Sequence, residues 1–79
     1  MGKTEKHIIM DLTSALLGKE YEIRDISLND RELEGFLFSL GCYKGEGITV
    51  ISRRKKDCIV SIKDGRYSID GALAQAIKI

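Results

Sequence analysis

The chain has 79 residues, of which 43% are hydrophobic and 32% are charged. This composition is that of one ordinary globular domain and excludes a disordered chain. Thirteen basic and twelve acidic residues give a net charge of +1, so overall charge favours neither nucleic acid nor an acidic substrate as a ligand. Because a domain this small has a thin core, we expect function on its outer surface or in a shallow groove.

The first ten residues are predicted to form a flexible arm, and residues 11–79 are predicted to form the domain. The sequence shows no secretory signal, and its longest apolar run is too short to span a membrane. We therefore expect a cytoplasmic protein in which both cysteines, Cys42 and Cys58, are reduced.

Segment 11–18 favours a short helix. Asp11 is a suitable N-cap, and Gly18 fits the left-handed position that follows the last turn of many helices. We expect one side of this helix to be apolar. Its members are Leu12, Ala15 and Leu16.

Segment 19–27 favours a β-strand, because Tyr21 and Ile23 alternate with charged residues at period two. Ile26 falls on the other parity. This change indicates either a bulge or a strongly twisted strand that changes face, as small barrels require.

Segment 30–40 is the clearest helix. Asn29 is a predicted N-cap, with Glu32 three positions later as in a capping box, and Gly41 is a predicted left-handed stop. Apolar residues at i, i+3, i+4 and i+7 predict one core-facing stripe. They are Leu33, Phe36, Leu37 and Leu40.

Two strands are predicted next, at 47–53 and 57–63, joined as a hairpin by a basic turn. The dipeptide Asp64-Gly65 is a strong two-residue hairpin signal, so 66–69 should return as a third strand. After it, Asp70 can cap one helical turn before a last short strand. This order predicts a mostly β fold with short helices, namely a small SH3-like β-barrel with a helix inserted after the first strand.

Four stretches, taken in this order, resemble the ferrous iron transport protein A (FeoA) family. They are L-x-x-x-x-x-G-x-x-Y-x-I from Leu12, F-L-x-S-L-G-C-x-x-G from Phe36, I-T-V-I-S-R from Ile48 and G-R-Y-S-I-D-x-x-L-A-x-x-I-x-I from Gly65. The resemblance covers residues 11–79. The chain departs from the family at Glu32-Leu33-Glu34, which is acidic where relatives often carry a basic segment.

The resemblance implies an SH3-like domain without enzymatic activity that acts as a regulator of ferrous iron uptake. Its implied partner is the FeoB membrane transporter, which carries a cytosolic GTPase domain, so the chain would lie at the inner face of the membrane through that transporter. The family is also similar to the carboxy-terminal domain of iron-dependent repressors, so the fold alone leaves the partner open.

Enzymatic and metal sites receive little support from the residues. The glycines at 45–47 follow a helix and precede a strand, which is the reverse of a phosphate-binding loop. The candidate metal ligands His7, Cys42 and Cys58 have no paired spacing, and the predicted hairpin separates the two thiols. The sequence predicts no required cofactor. If the protein binds a metal ion, Fe2+ is the candidate, and the sequence does not assign its ligands.

Six residues are candidates for partner binding: Phe38, Tyr43, Arg53, Arg54, Lys55 and Lys56. The four basic residues form the hairpin turn, for which a solvated tip is the alternative. Phe38 points away from the apolar stripe and is a candidate anchor, the alternative being that it packs beneath Ile8, Ile9 and Met10.

Two other functions remain open at this point. One is a metal-responsive domain that binds Fe(II) or another divalent ion, and the other is a nucleic-acid binder that uses the basic turn. No aromatic residue is interleaved with that turn, so nucleic acid is not the expected partner. A homodimer through an open edge of the barrel is also left open.

Overall fold

The structure, a computed structural model, describes residues 10–79, so the predicted arm lies almost wholly outside the described residues. Its elements are a 3-10 turn (Leu12–Ser14), β1 (Glu20–Glu22), β2 (Asp25–Ile26), α1 (Arg31–Ser39), β3 (Gly47–Arg53), β4 (Asp57–Ile62), β5 (Gly65–Asp70), α2 (Gly71–Ala76) and β6 (Ile77–Lys78).

The strands form two antiparallel sheets, one with the order β1-β3-β4-β5 and one made of β2 and β6. Both sheets contribute side chains to one hydrophobic core. Its most completely buried members are Leu12, Ile23, Leu37, Cys42, Ile48, Val50, Val60, Ile62 and Ile77. This arrangement confirms the predicted mostly β, SH3-like fold, with α1 inserted after the first strands.

The strand predicted at 19–27 is divided between the two sheets. Tyr21 pairs with Ile48 of β3, whereas Ile26 pairs with Ile77 of β6. Between them Ile23 is fully buried, and its N–H donates to the carbonyl of Glu46 at 2.8 Å. The parity change seen in the sequence is therefore the point at which the chain passes from one sheet to the other.

The predicted helix at 11–18 is only one turn long. The side chain of Asp11 accepts a hydrogen bond from the N–H of Thr13, as predicted. Gly18 is left-handed with φ +80°, but it lies in a separate turn and does not end the helical segment, whose C-cap is Ala15. Leu16, however, is 65% exposed, so its assignment to the buried side was wrong. The backbone turns at Ala15 into extended geometry, which carries Leu16 away from the core.

Helix α1 begins one residue later than predicted. Asp30 is the N-cap in place of Asn29, because its Oδ1 accepts hydrogen bonds from the N–H groups of Glu32 at 2.9 Å and Leu33 at 3.2 Å. Asp30 satisfies donors that a helix leaves unpaired at its start, and Gly41 ends the segment with φ +90°.

The predicted apolar stripe of α1 is mostly not buried. Leu37 is fully buried and Leu40 is half-buried, but Leu33 and Phe36 are 39% and 45% exposed. The two sheets and α2 supply most of the core, and the 3-10 segment and connecting residues supply much of the rest. Helix α1 contributes only one fully buried side chain. The spacing correctly indicated a helix, but the prediction that the whole stripe packs inside was wrong.

The hairpin strands are close to their predicted bounds, but the second turn is displaced by one residue. Ile62 pairs with Gly65, so the two-residue loop is Lys63-Asp64 and not Asp64-Gly65. Lys63 adopts a left-handed conformation with φ +54°. The register that pairs β4 with β5 along its whole length therefore outweighs the preference for glycine inside the turn.

An extra residue in β3 changes the direction of the side chains that follow it. Val50 pairs with Val60, but Ser52 pairs with the next residue of β4, Ile59, which leaves Ile51 as the inserted residue of a β-bulge. Beyond the bulge, Arg53 lies opposite the buried Cys58 and therefore faces the inner side of the sheet. Its guanidinium Nη2 donates to the carbonyls of Leu12 at 2.8 Å and Ala15 at 3.0 Å.

We predict that Arg53→Ala lowers the free energy of unfolding by about 1 to 2 kcal/mol, because two carbonyls lose a charged donor. Lys55→Ala is the matched control, since Lys55 is exposed and its replacement should cost less than about 0.5 kcal/mol. Urea unfolding of the two variants measures the difference. Equal stability losses would contradict the structural role of Arg53.

Candidate partner-binding surface

Two aromatic side chains meet on the surface where α1 ends. The left-handed Gly41 turns the chain, and the N–H of the following Cys42 donates to the carbonyl of Leu37 at 2.9 Å. This turn brings Tyr43 back beside Phe38, with ring centroids 4.9 Å apart and ring planes inclined by 36°. Phe38 is 64% exposed, so it does not occupy the buried position considered as its alternative. We call Phe38 and Tyr43 the aromatic pair.

A lysine borders the aromatic pair. The Nζ of Lys63 lies 5.7 Å from the centroid of the Tyr43 ring and 3.1 Å from Oε1 of Glu46. The hydrogen bond and the charge of Glu46 raise the pKa of Lys63, so this lysine stays positively charged at neutral pH. The side chain of Lys63 thus places a cation beside the ring of Tyr43.

Two shallow grooves meet at the aromatic pair. The helix groove, of about 530 Å³, lies between α1 and β2, with Ile26 and Gly35 among the residues that line it. The hairpin groove, of about 600 Å³, lies between the end of α1 and the β4–β5 turn, with Ile62 among its lining residues. Phe38 and Tyr43 line both grooves, so the aromatic pair forms the wall between them.

Sequence reasoning missed two residues of this surface. Gly35 lines the helix groove, and no heavy atom lies within 4 Å of the position that a Cβ would take. A glycine inside a helix, one turn before Phe38, is unfavourable by about 1 kcal/mol and is the signal that was available. Lys63 gave no comparable signal, because its position depends on the turn register.

The four basic residues of the hairpin turn have different surroundings. Arg53 is held by the carbonyls of the 3-10 segment, and Nε of Arg54 forms an ion pair with Oδ1 of Asp57 at 2.9 Å. Within residues 10–79, Lys55 and Lys56 take part in no ion pair and are exposed. The charge available to a partner at this turn therefore comes chiefly from the two lysines.

The six predicted residues form two separate patches. The aromatic pair adjoins the β4–β5 turn at Lys63, whereas the basic turn lies at the other end of β4. A strand of this length spans about 17 Å. The structure brings Phe38 and Tyr43 together and places Arg53, Arg54, Lys55 and Lys56 elsewhere.

The two cysteines are free and buried. Burial raises the pKa of the Cys42 thiol to about 11, and burial also raises the pKa of Cys58 although the nearby Arg53 acts in the opposite direction. Both thiols are thus poor sources of the thiolate that metals bind. Among residues 10–79 no three His, Cys, Asp or Glu side chains are grouped as metal ligands, so these residues do not fit a resident metal ion. His7 lies outside the described residues.

The buried thiol of Cys42 predicts a loss of stability in alkali. Its pKa is 9.0 when unperturbed and about 11 in the folded protein. The unfolded state therefore releases its proton first, and the stabilisation present below pH 9 is lost as the pH rises through 11. Between about pH 8 and about pH 10.5 the contribution of Cys42 should fall by about 2 kcal/mol.

Urea unfolding of the wild type and Cys42→Ala across this pH range measures that contribution. The alanine variant pays a pH-independent cost for its cavity, so its stability should fall less steeply than that of the wild type. Parallel pH curves for the two proteins would show that Cys42 is not held neutral by the fold.

The structure resembles two solved proteins. A manganese-dependent transcriptional repressor superposes with a TM-score of 0.82 at 21% identity over 99% of this chain and 44% of its own. An iron uptake regulatory protein (FeoA) superposes with a TM-score of 0.75 at 22% identity over 90% of this chain and 95% of its own. The chain thus spans less than half of the repressor, and these likenesses establish the fold alone.

No curated protein sequence matches the chain significantly. In the described part of the chain, no helix combines the length and the apolar character needed to cross a bilayer. The sequence profile of the FeoA domain matches residues 10–79, which is nearly the whole chain. The chain therefore belongs to the FeoA domain family.

Proposed function

We propose that this protein is a non-enzymatic accessory of ferrous iron uptake that binds the cytosolic part of a FeoB-type transporter through the aromatic pair. The FeoA domain match over residues 10–79 supports the link to iron uptake, as does the fold shared with an iron uptake regulatory protein. The protein would act in the cytoplasm, at the inner face of the membrane, and change the assembly or the GTPase cycle of the transporter.

The exposure of the aromatic pair is the observation that carries the choice of surface. Phe38 is 64% exposed yet stacked against Tyr43, so its ring is held in place before any partner arrives. Aromatic residues dominate the binding energy of many protein interfaces, and a preformed ring loses little conformational entropy on binding. The grooves on both sides can receive side chains of the partner.

The charged residues around this surface would set the orientation of the partner. Arg31, Glu34 and Lys44 line the helix groove together with Asp25, and Lys63 borders the hairpin groove. These charges are of both signs, which suits a protein surface of mixed charge better than a phosphate-rich polymer. At the far end of the sheet, Lys55 and Lys56 would mainly accelerate encounter with an acidic region of the transporter.

The alternative functions receive no comparable support. The residues described do not fit a resident metal ion, and the basic turn has no aromatic residue among those that line its own groove, of about 170 Å³. The likeness to a manganese-dependent repressor concerns a fold that this chain shares with less than half of that protein.

We predict that Phe38→Ala weakens binding to a detergent-solubilised FeoB-type transporter by about thirty-fold, the loss typical of a central aromatic anchor. Leu17→Ala is the matched control, because Leu17 is also apolar and 55% exposed but lines neither groove. Biolayer interferometry with the GTP-bound and GDP-bound transporter measures both affinities, and circular dichroism verifies that both variants remain folded.

The double variant Lys55→Glu/Lys56→Glu tests the electrostatic contribution separately. It should slow association at low salt and leave the dissociation rate nearly unchanged. Equal losses for Phe38→Ala and Leu17→Ala would move the contact away from the aromatic pair. Absence of wild-type binding in every nucleotide state would refute the transporter as a direct partner.

A further inference from the structure

Strand β5 is a terminal strand of the four-stranded sheet, so one of its edges is not paired with another strand of residues 10–79. Its residues Arg66, Ser68 and Asp70 are exposed, whereas Ile69 is buried and Tyr67 is half-buried. An exposed edge of this length is a template for pairing with another strand.

The hydrogen-bond phase of β5 shows which backbone groups its free edge presents. Opposed residues of antiparallel strands alternate between hydrogen-bonded and non-hydrogen-bonded pairs. The N–H of Gly71, the residue after β5, donates to the carbonyl of Lys56 at 3.0 Å. Because every second residue of the strand shares the orientation of Gly71, the residues between them point the other way. The N–H groups of Ser68 and Asp70 and the carbonyls of Arg66 and Ser68 therefore point away from β4.

We propose that the free edge of β5 pairs with β5 of a second copy of this chain, antiparallel and centred on Ser68. In this register each Arg66 lies opposite Asp70 of the other copy, and each Tyr67 lies opposite Ile69. The backbone groups that point away from β4 then meet each other, because Ser68 faces Ser68 and the N–H of Asp70 faces the carbonyl of Arg66.

Charge complementarity identifies a second copy as the occupant. Arg66 and Asp70 take part in no ion pair among the described residues. Within its own sheet Asp70 lies opposite Asp57, whose carboxylate is already paired with Arg54, so no cation of the described residues forms an ion pair with Asp70. The carboxylate of Asp70 accepts a hydrogen bond only from the N–H of Leu73 among the described residues, at the start of α2. The Arg66 of a second copy would place a cation on the other side of Asp70, and the two-fold symmetry makes this contact twice.

The opposite edge of the sheet is protected against the same pairing. Strand β1 is also terminal, but it has only three residues, Glu20, Tyr21 and Glu22. Antiparallel self-pairing centred on Tyr21 would place Glu20 opposite Glu22 of the other copy, and like charges disfavour such a contact. Of the two edges of the four-stranded sheet, self-association is therefore directed to that of β5.

Ser68→Pro tests the backbone contacts. Proline removes an N–H that points away from β4 and an exposed hydroxyl that donates to Oδ2 of Asp57 at 3.4 Å, so the backbone pairing of the β4–β5 hairpin should be retained. Arg66→Glu tests the charge contact, and Lys19→Glu makes the same charge change next to β1, at the opposite edge of the sheet. Sedimentation equilibrium of the purified chain should show a monomer–dimer equilibrium for the wild type and for Lys19→Glu.

Dimerisation should be abolished in Ser68→Pro and weakened about tenfold or more in Arg66→Glu. Hydrogen exchange at the Ser68 amide should slow as wild-type concentration rises, a result that does not depend on the folding of any variant. A wild type that stays monomeric, or a dimer that Arg66→Glu leaves unchanged, would overturn the proposal. Because no transporter is present, failure here leaves the proposed function untouched.

Discussion

The inserted residue Ile51 is the local constraint on which the form of the domain depends. Strand β3 lies between β1 and β4, so a bulge in it changes the direction of the longest hairpin. The same insertion turns Arg53 toward the inner side of the sheet, where its guanidinium donates hydrogen bonds to the carbonyls of Leu12 and Ala15. One extra residue thus joins the first segment of the chain to the far end of the hairpin.

Most of the core is formed by the two sheets and α2, so α1 lies largely at the surface. Leu37 is the only side chain of α1 that is fully buried, and Gly41 fixes the direction in which the chain leaves the helix. Both features place Phe38 beside Tyr43 in solvent, between two grooves. The exposed aromatic surface is therefore a consequence of how little of α1 the small core needs.

The features that sequence predicted correctly are those that local chemistry determines. The cap at Asp70 and the left-handed stop at Gly41 depend on a few neighbouring residues, and both are present. The burial of Phe36 was predicted wrongly because spacing identifies a helix face but not whether the core has room for it. The bulge at Ile51 and the turn at Lys63 depend on pairing register between strands, for which one sequence gives no direct signal.

The most direct test of the proposed binding surface is hydrogen exchange of the protein with and without the solubilised FeoB-type transporter. Slower exchange confined to the end of α1 and residues 41–46, with the basic turn unchanged or weakly affected, is the predicted result. Protection centred on residues 53–57, with none at the aromatic pair, would contradict the assignment of the partner surface to Phe38 and Tyr43.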